Sequence, residues 1–89
     1  MAKTPGILDT AWDEVVEAAN YYEERVPNLG DRLYDEFEEA LDRIGEAPLA
    51  GSPLTHREVK REIRRVPLRR FPFSLFYILE PRLVVVAFA

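Results

Sequence analysis

Near residue 48 the apolar residues of this chain change their spacing, from the three-to-four-residue recurrence of helices to the two-residue alternation of strands. Helices followed by strands point to an α+β domain. Residues 9–25 read as a helix, the apolar positions Leu8, Trp12, Val15, Ala19, Tyr22 and Val26 recurring at helical spacing along and beside it, with Asp9 or Thr10 as the expected cap. Pro27-Asn28-Leu29-Gly30 breaks that pattern. A second helix, from about Asp31 to Ala47, aligns Leu33, Phe37, Ala40, Leu41 and Ile44. So short a break predicts an antiparallel helical hairpin.

Pro48 to Pro53 reads as a loop, and three strands follow: Ile63 to Phe71, Phe73 to Leu79, and Leu83 to Ala89. Pro72 and Glu80-Pro81-Arg82 separate them, which favours an antiparallel meander. Pro67 has no N–H for a ladder, so it calls for an edge or a bulge. The expected domain, residues 1–89, is a two-helix hairpin on one face of a small antiparallel sheet of three strands, or four if a short N-terminal one is added.

That assembly leaves apolar surface over. Phe73, Leu75, Tyr77 and Leu79 face one way, Phe76 and Ile78 the other. The last strand divides into Val84, Val86 and Phe88 against Leu83, Val85 and Ala87. Strands apolar on both sides are normally covered on both sides, and the chain has helix for one. Phe76, Ile78, Val84, Val86 and Phe88 are therefore the candidate partner-binding residues.

Charge divides at the same place. Residues 1–47 hold 4 basic and 13 acidic residues, net −9, and residues 48–89 hold 8 basic and 3 acidic, net +5. On the second helix Asp35, Glu36, Glu38, Glu39 and Asp42 read as a solvated face, of which Asp35, Glu36, Glu39 and Asp42 are expected to be individually dispensable. In the second half, Arg57, Lys60, Arg61, Arg64, Arg65, Arg69 and Arg70 face two acids, Glu58 and Glu62. Such an excess on neighbouring strand positions is repulsive, and arginine forks grip phosphate or carboxylate. Lys60, Arg64, Arg65, Arg69 and Arg70 are the candidate target-binding residues, Arg65 and Arg69 sharing a face unless Pro67 adds a bulge.

Other chemistries find no support. The chain has no cysteine, which removes disulfides and thiol nucleophiles and makes a reducing cytoplasm the expected setting. Its single histidine, His56, lies in a loop-like stretch without companion ligands for zinc. No phosphate-cradling glycine loop or nucleophile elbow occurs, and no apolar run approaches the ~18 residues of a membrane span. No catalytic residue, metal or cofactor is assigned. Arg69 to Phe76 resembles the aromatic strand of RNA-recognition sheets, but Arg70 and Pro72 replace its two small residues and the element order is wrong for that fold.

Taken in order, the motifs Ala19-Asn20-Tyr21-Tyr22-Glu23-Glu24-Arg25, Pro27-Asn28-Leu29-Gly30-Asp31-Arg32-Leu33, Ala47 to Pro53, Arg64 to Phe73 and Phe76-Tyr77 resemble the RelE/ParE family of toxins. The resemblance implies the toxin of a bacterial type II toxin–antitoxin pair, neutralised by a wrapping antitoxin. The hairpin and Arg-Arg-Phe-Pro-Phe segments look more like the ParE branch, which implies a non-enzymatic inhibitor of DNA gyrase. The alternatives are a RelE-like ribosome-dependent mRNA endonuclease, in which sheet Arg and Lys stabilise the transition state, or an attenuated form that binds antitoxin alone. Both a homodimer and a toxin–antitoxin hetero-oligomer are compatible with it. Two departures go with the resemblance. Met1 to Leu8, with Pro5 and Gly6, makes a poor strand where the family usually has one, and the usual His and Arg-rich tail after the last strand is missing, from which weakened toxicity is expected.

Overall fold

A computed structural model describes residues 4–54 and 62–89. Helix α1 spans Asp9–Arg25 and α2 spans Leu29–Glu46. Neither helix start has a cap from its own N-cap side chain. At α1 the N-cap is Leu8, and Asp9 instead places its charge in the first turn. At α2 the N-cap is Asn28, in the left-handed region (φ 71°), and the cap comes from the other helix. The Glu23 carboxylate accepts the Asn28 N–H (2.9 Å) through one oxygen and the Gly30 N–H (3.0 Å) through the other. A Cβ at Gly30 would lie 2.8 Å from the Ala19 carbonyl oxygen, so this glycine lets the hairpin close.

The sheet has five strands, β1 (Gly6–Ile7), β2 (Ser52–Leu54), β3 (Ile63–Pro67), β4 (Ser74–Ile78) and β5 (Val84–Phe88), in the spatial order β1-β5-β4-β3-β2. The α+β class and the helical hairpin agree with the sequence expectation. The strand count does not, nor does the all-antiparallel pairing, because β1 runs parallel to β5. Pro5 and Gly6 carry no strand propensity; β1 exists because the Gly6 and Leu8 amides reach the Leu83 and Val85 carbonyls (2.9 and 3.0 Å). Beyond Leu8 the chain turns into α1, and the Phe88 N–H is taken by the Glu14 carboxylate on that helix (3.3 Å). Part of the expected loop, Ser52–Leu54, likewise becomes an edge strand against Ile63–Arg65.

Strand β3 ends at Pro67, four residues before the expected limit. The Leu68 N–H bonds to the Phe73 carbonyl (2.8 Å), closing the 68–73 turn. Because Leu68 faces β4, alternation turns the Pro67 nitrogen towards β2, whose last pair is Ser52 with Arg65. The missing N–H therefore has no ladder partner to disappoint.

Between β4 and β5 the pairing steps from Phe76–Ala87 to Tyr77–Val85, leaving Val86 unmatched as a β-bulge. The extra residue inverts the alternation. Phe88, 2% exposed, thereby joins Val85 on the helix side and does not share a face with Val84. The core gathers Ala11, Val15, Ala19, Leu33, Phe37, Ala40 and Ile44 from the helices with Val66, Leu75, Tyr77, Val85 and Phe88 from the sheet. Phe88 stacks on Phe73 (4.9 Å between centroids) and meets Phe37 edge-on (5.7 Å). Trp12, expected inside, is 42% exposed and leans on Tyr34 and Phe37 at the rim.

Candidate functional site

With Val66, Leu75, Tyr77 and Val85 on the helices, the strand register fixes what the opposite sheet face presents. One row across the strands reads Leu54, Ile63, Ile78, Val84; the next reads Ser52, Arg65, Phe76, Ala87. Ile63, Phe76, Ile78 and Ala87 are half-buried, Leu54 is 43% exposed, and Val84 is buried but outside the main core. Neither helix covers this side. It is an apolar surface with one exposed cation, Arg65, which has no ion-pair partner among the described residues. Of the five candidate partner-binding residues, Phe76, Ile78 and Val84 lie here. Half-buried Val86 sits at the bulge, and Phe88 lies on the other side of the sheet.

The candidate basic residues do not form one cluster. Arg64 points to the other face from Arg65, where it staples the chain before β2. Its guanidinium donates to the Leu49 and Gly51 carbonyls (3.1 and 2.8 Å) and to Glu62 (2.9 Å). The Tyr77 hydroxyl works beside it, accepting the Gly51 N–H (2.9 Å) and donating to the Pro48 carbonyl (2.8 Å). Any side chain on Gly51 would strike that ring, with Tyr77 carbons 2.8 and 2.9 Å from a Cβ. A guanidinium so committed holds a loop; little of it is left for a ligand.

Arg69 and Arg70 sit in the 68–73 turn, beyond the strand expected to carry them. Both backbone N–H groups donate to Oε1 of Glu36 on α2 (3.0 and 2.9 Å), and the Arg69 guanidinium pairs with Glu39 (2.7 Å). The turn is thus drawn to the helical layer. Arg65 and Arg69, expected together, lie on opposite sides of the sheet. Phe71 pins the turn from beneath by packing edge-on against Tyr22 (5.0 Å). Both arginines remain exposed, beside a hollow lined by Tyr22, Arg32, Glu36, Phe71 and Pro72. Lys60, the fifth candidate, and His56 lie outside the described residues.

Among the acidic residues of α2, Glu36 is the one whose role differs from the sequence expectation. Asp35, Glu39 and Asp42 are exposed as expected, whereas Glu36 is half-buried and holds two main-chain donors. Hydrogen bonds to a charged acceptor are stronger than neutral ones. Glu36→Ala is expected to cost about 1–2 kcal/mol after allowance for partial exposure, and Asp42→Ala no more than about 0.5 kcal/mol. Urea midpoints of the two variants separate them; equal midpoints would mean that Glu36 does not anchor the turn. The signal was faint: Glu36 lies one residue before Phe37, at the border of the apolar stripe.

Among the described residues no group of three or more His, Asp or Glu side chains is placed to hold a metal ion, and no helix is long and apolar enough to cross a membrane. Residues 7–89 match the family model described as ParE toxin of type II toxin-antitoxin system, parDE. No curated protein matches the chain.

Proposed function

Because this chain belongs to the ParE toxin family of type II toxin–antitoxin systems, we propose that it acts without bond-making chemistry, as an inhibitor that binds DNA gyrase. Family membership makes it a toxin with an antitoxin partner; the target and the surfaces are the proposal. The observation that carries it is the dispersal of the arginines among the described residues. Stabilising a pentacovalent phosphate needs cations converging on one point, with a group nearby to move the proton. Here Arg64 is tied to carbonyls, Arg65 stands on the apolar outer face, and Arg69 and Arg70 stand at the helical side. That supports two separate binding surfaces better than one nuclease site. The antitoxin takes the outer face around Phe76, Ile78 and Arg65. The turn at Arg69 and Arg70 engages the target.

The test separates the surfaces. Arg69→Glu with Arg70→Glu should abolish inhibition of gyrase supercoiling and leave antitoxin affinity within about threefold, since charge reversal removes electrostatic grip without touching the core. Messenger cleavage in a translating extract, with gyrase unaffected by the wild-type protein, would replace this reading with the endonuclease one.

A further inference from the structure

Among the described residues the sheet has a second feature without a partner, at its β1 edge. The Gly6 and Leu8 amides are used on β5. By alternation, the Ile7 N–H and C=O and the Pro5 C=O face away from it. They open on a hollow of about 450 Å³ between this edge and α2, walled by Pro5 and Ile7 on one side and Glu38, Leu41, Asp42 and Glu46 on the other. Ile7 and Leu41 give it an apolar floor packed on the core. Glu38, Asp42 and Glu46 stand one helical turn apart along its wall and make no ion pair among the described residues.

We propose that this groove receives an extended segment of the antitoxin, added to the β1 edge as a further strand, with basic residues at alternate positions. Register sets the pattern. Ile7 matches Val85 and so faces the helices, while Gly6 matches Val84 and faces outwards. On an added strand, residues beside Ile7 meet the α2 carboxylates and are basic. Those between them face the outer side, where Gly6 stands without a side chain next to Val84, and are apolar. A second copy of this chain does not fit, because two-fold pairing of β1 edges would bring Glu38, Asp42 and Glu46 against their own equivalents. The inference rests on the antitoxin that family membership implies, and on neither the target nor the outer-face contact proposed above.

The probe is an acetylated, amidated peptide alternating Lys and Val, titrated into the isotope-labelled protein, with a Glu–Val peptide as control. The Lys–Val peptide is expected to move the amide resonances of Ile7, Leu41 and Asp42. Its affinity should fall at least tenfold, on the order of a decade, between low salt and roughly 0.5 M. Glu38→Lys with Asp42→Lys, both at exposed positions, should lower it by a similar factor at low salt. Ile7→Pro, which removes the outward N–H, should abolish binding; if that variant does not fold, the two lysine substitutions still decide. Shifts confined to other surfaces, no shifts, or equal binding of the Glu–Val peptide would overturn the proposal. Such a failure leaves the outer-face contact standing, because Arg65 reads that one separately.

Discussion

Phe37→Ala is expected to destabilise the protein by about 3–5 kcal/mol, as for a fully buried aromatic side chain. Phe37 is 1% exposed, and its ring is contacted edge-on by Phe88 at 5.7 Å and obliquely by Trp12 at 6.0 Å. It therefore ties α2 to β5 and to α1 at one point. Such aromatic pairs contribute about 0.5–1.5 kcal/mol beyond the area they bury, and neither partner can follow the collapse easily. Phe88 is stacked on Phe73, and Trp12 rests against Tyr34 at the rim. A domain of this size has about 5–15 kcal/mol in total, so the variant should unfold at a much lower urea concentration. Glu38→Ala, one residue along, should move the midpoint by the equivalent of no more than about 0.5 kcal/mol. A loss at Phe37 no larger than that at Glu38 would show that α2 presents a different face to the sheet.

The second large effect is expected on binding. Arg65→Glu should weaken the antitoxin at least hundredfold, since removing one partner of a desolvated charge pair costs about 2–5 kcal/mol and reversal adds repulsion. Arg65 is flanked by Ser52 and Phe76 across the strands, with Ile63 and Ile78 in the adjoining row. An apolar partner surface laid there must satisfy that cation with a carboxylate or leave it buried alone. The same cation disfavours self-association about a two-fold axis passing close to it, which would bring two Arg65 side chains together. The residue is exposed and makes no ion pair among the described residues, so stability should stay within about 0.5 kcal/mol. Calorimetric titration of purified antitoxin into wild type, Arg65→Lys and Arg65→Glu measures it. Equal affinities for wild type and Arg65→Glu would move the antitoxin to another surface.

What the sequence disclosed follows from where local pattern and tertiary contact agree. The helices were legible because Leu33, Phe37, Ala40 and Ile44 repeat at one period and all reach the core. β1 was legible only as an optional fourth strand, and its parallel pairing was hidden, because its two residues take their geometry from β5, a partner far along the chain. The bulge was hidden because Val84, Val85, Val86 and Ala87 are all apolar, and a uniform run carries no phase from which to read a shift. That missing phase is what misplaced Phe88. On the basic strand the arginines were visible by composition. Their separation depends on Pro67 ending the ladder and on Glu36 drawing the turn towards α2, contacts that spacing cannot encode. The family resemblance rested on the ordered motifs and so survived these local errors.

The adjacency of β5 and α1 has a bearing on synthesis. α1 packs on β5, and the Val15 and Ala11 side of that helix is shielded in part by residues made more than sixty positions later. Glu23 and Gly30 let the helical hairpin form from neighbouring residues alone, but the apolar face of the hairpin has no stable burial without its sheet. A growing chain that has not yet released Val84–Phe88 from the ribosome thus has neither a finished interior nor the Ile78–Val84 row of the outer face. Under the function proposed above, the interior and the antitoxin-binding face are thus completed in the same step.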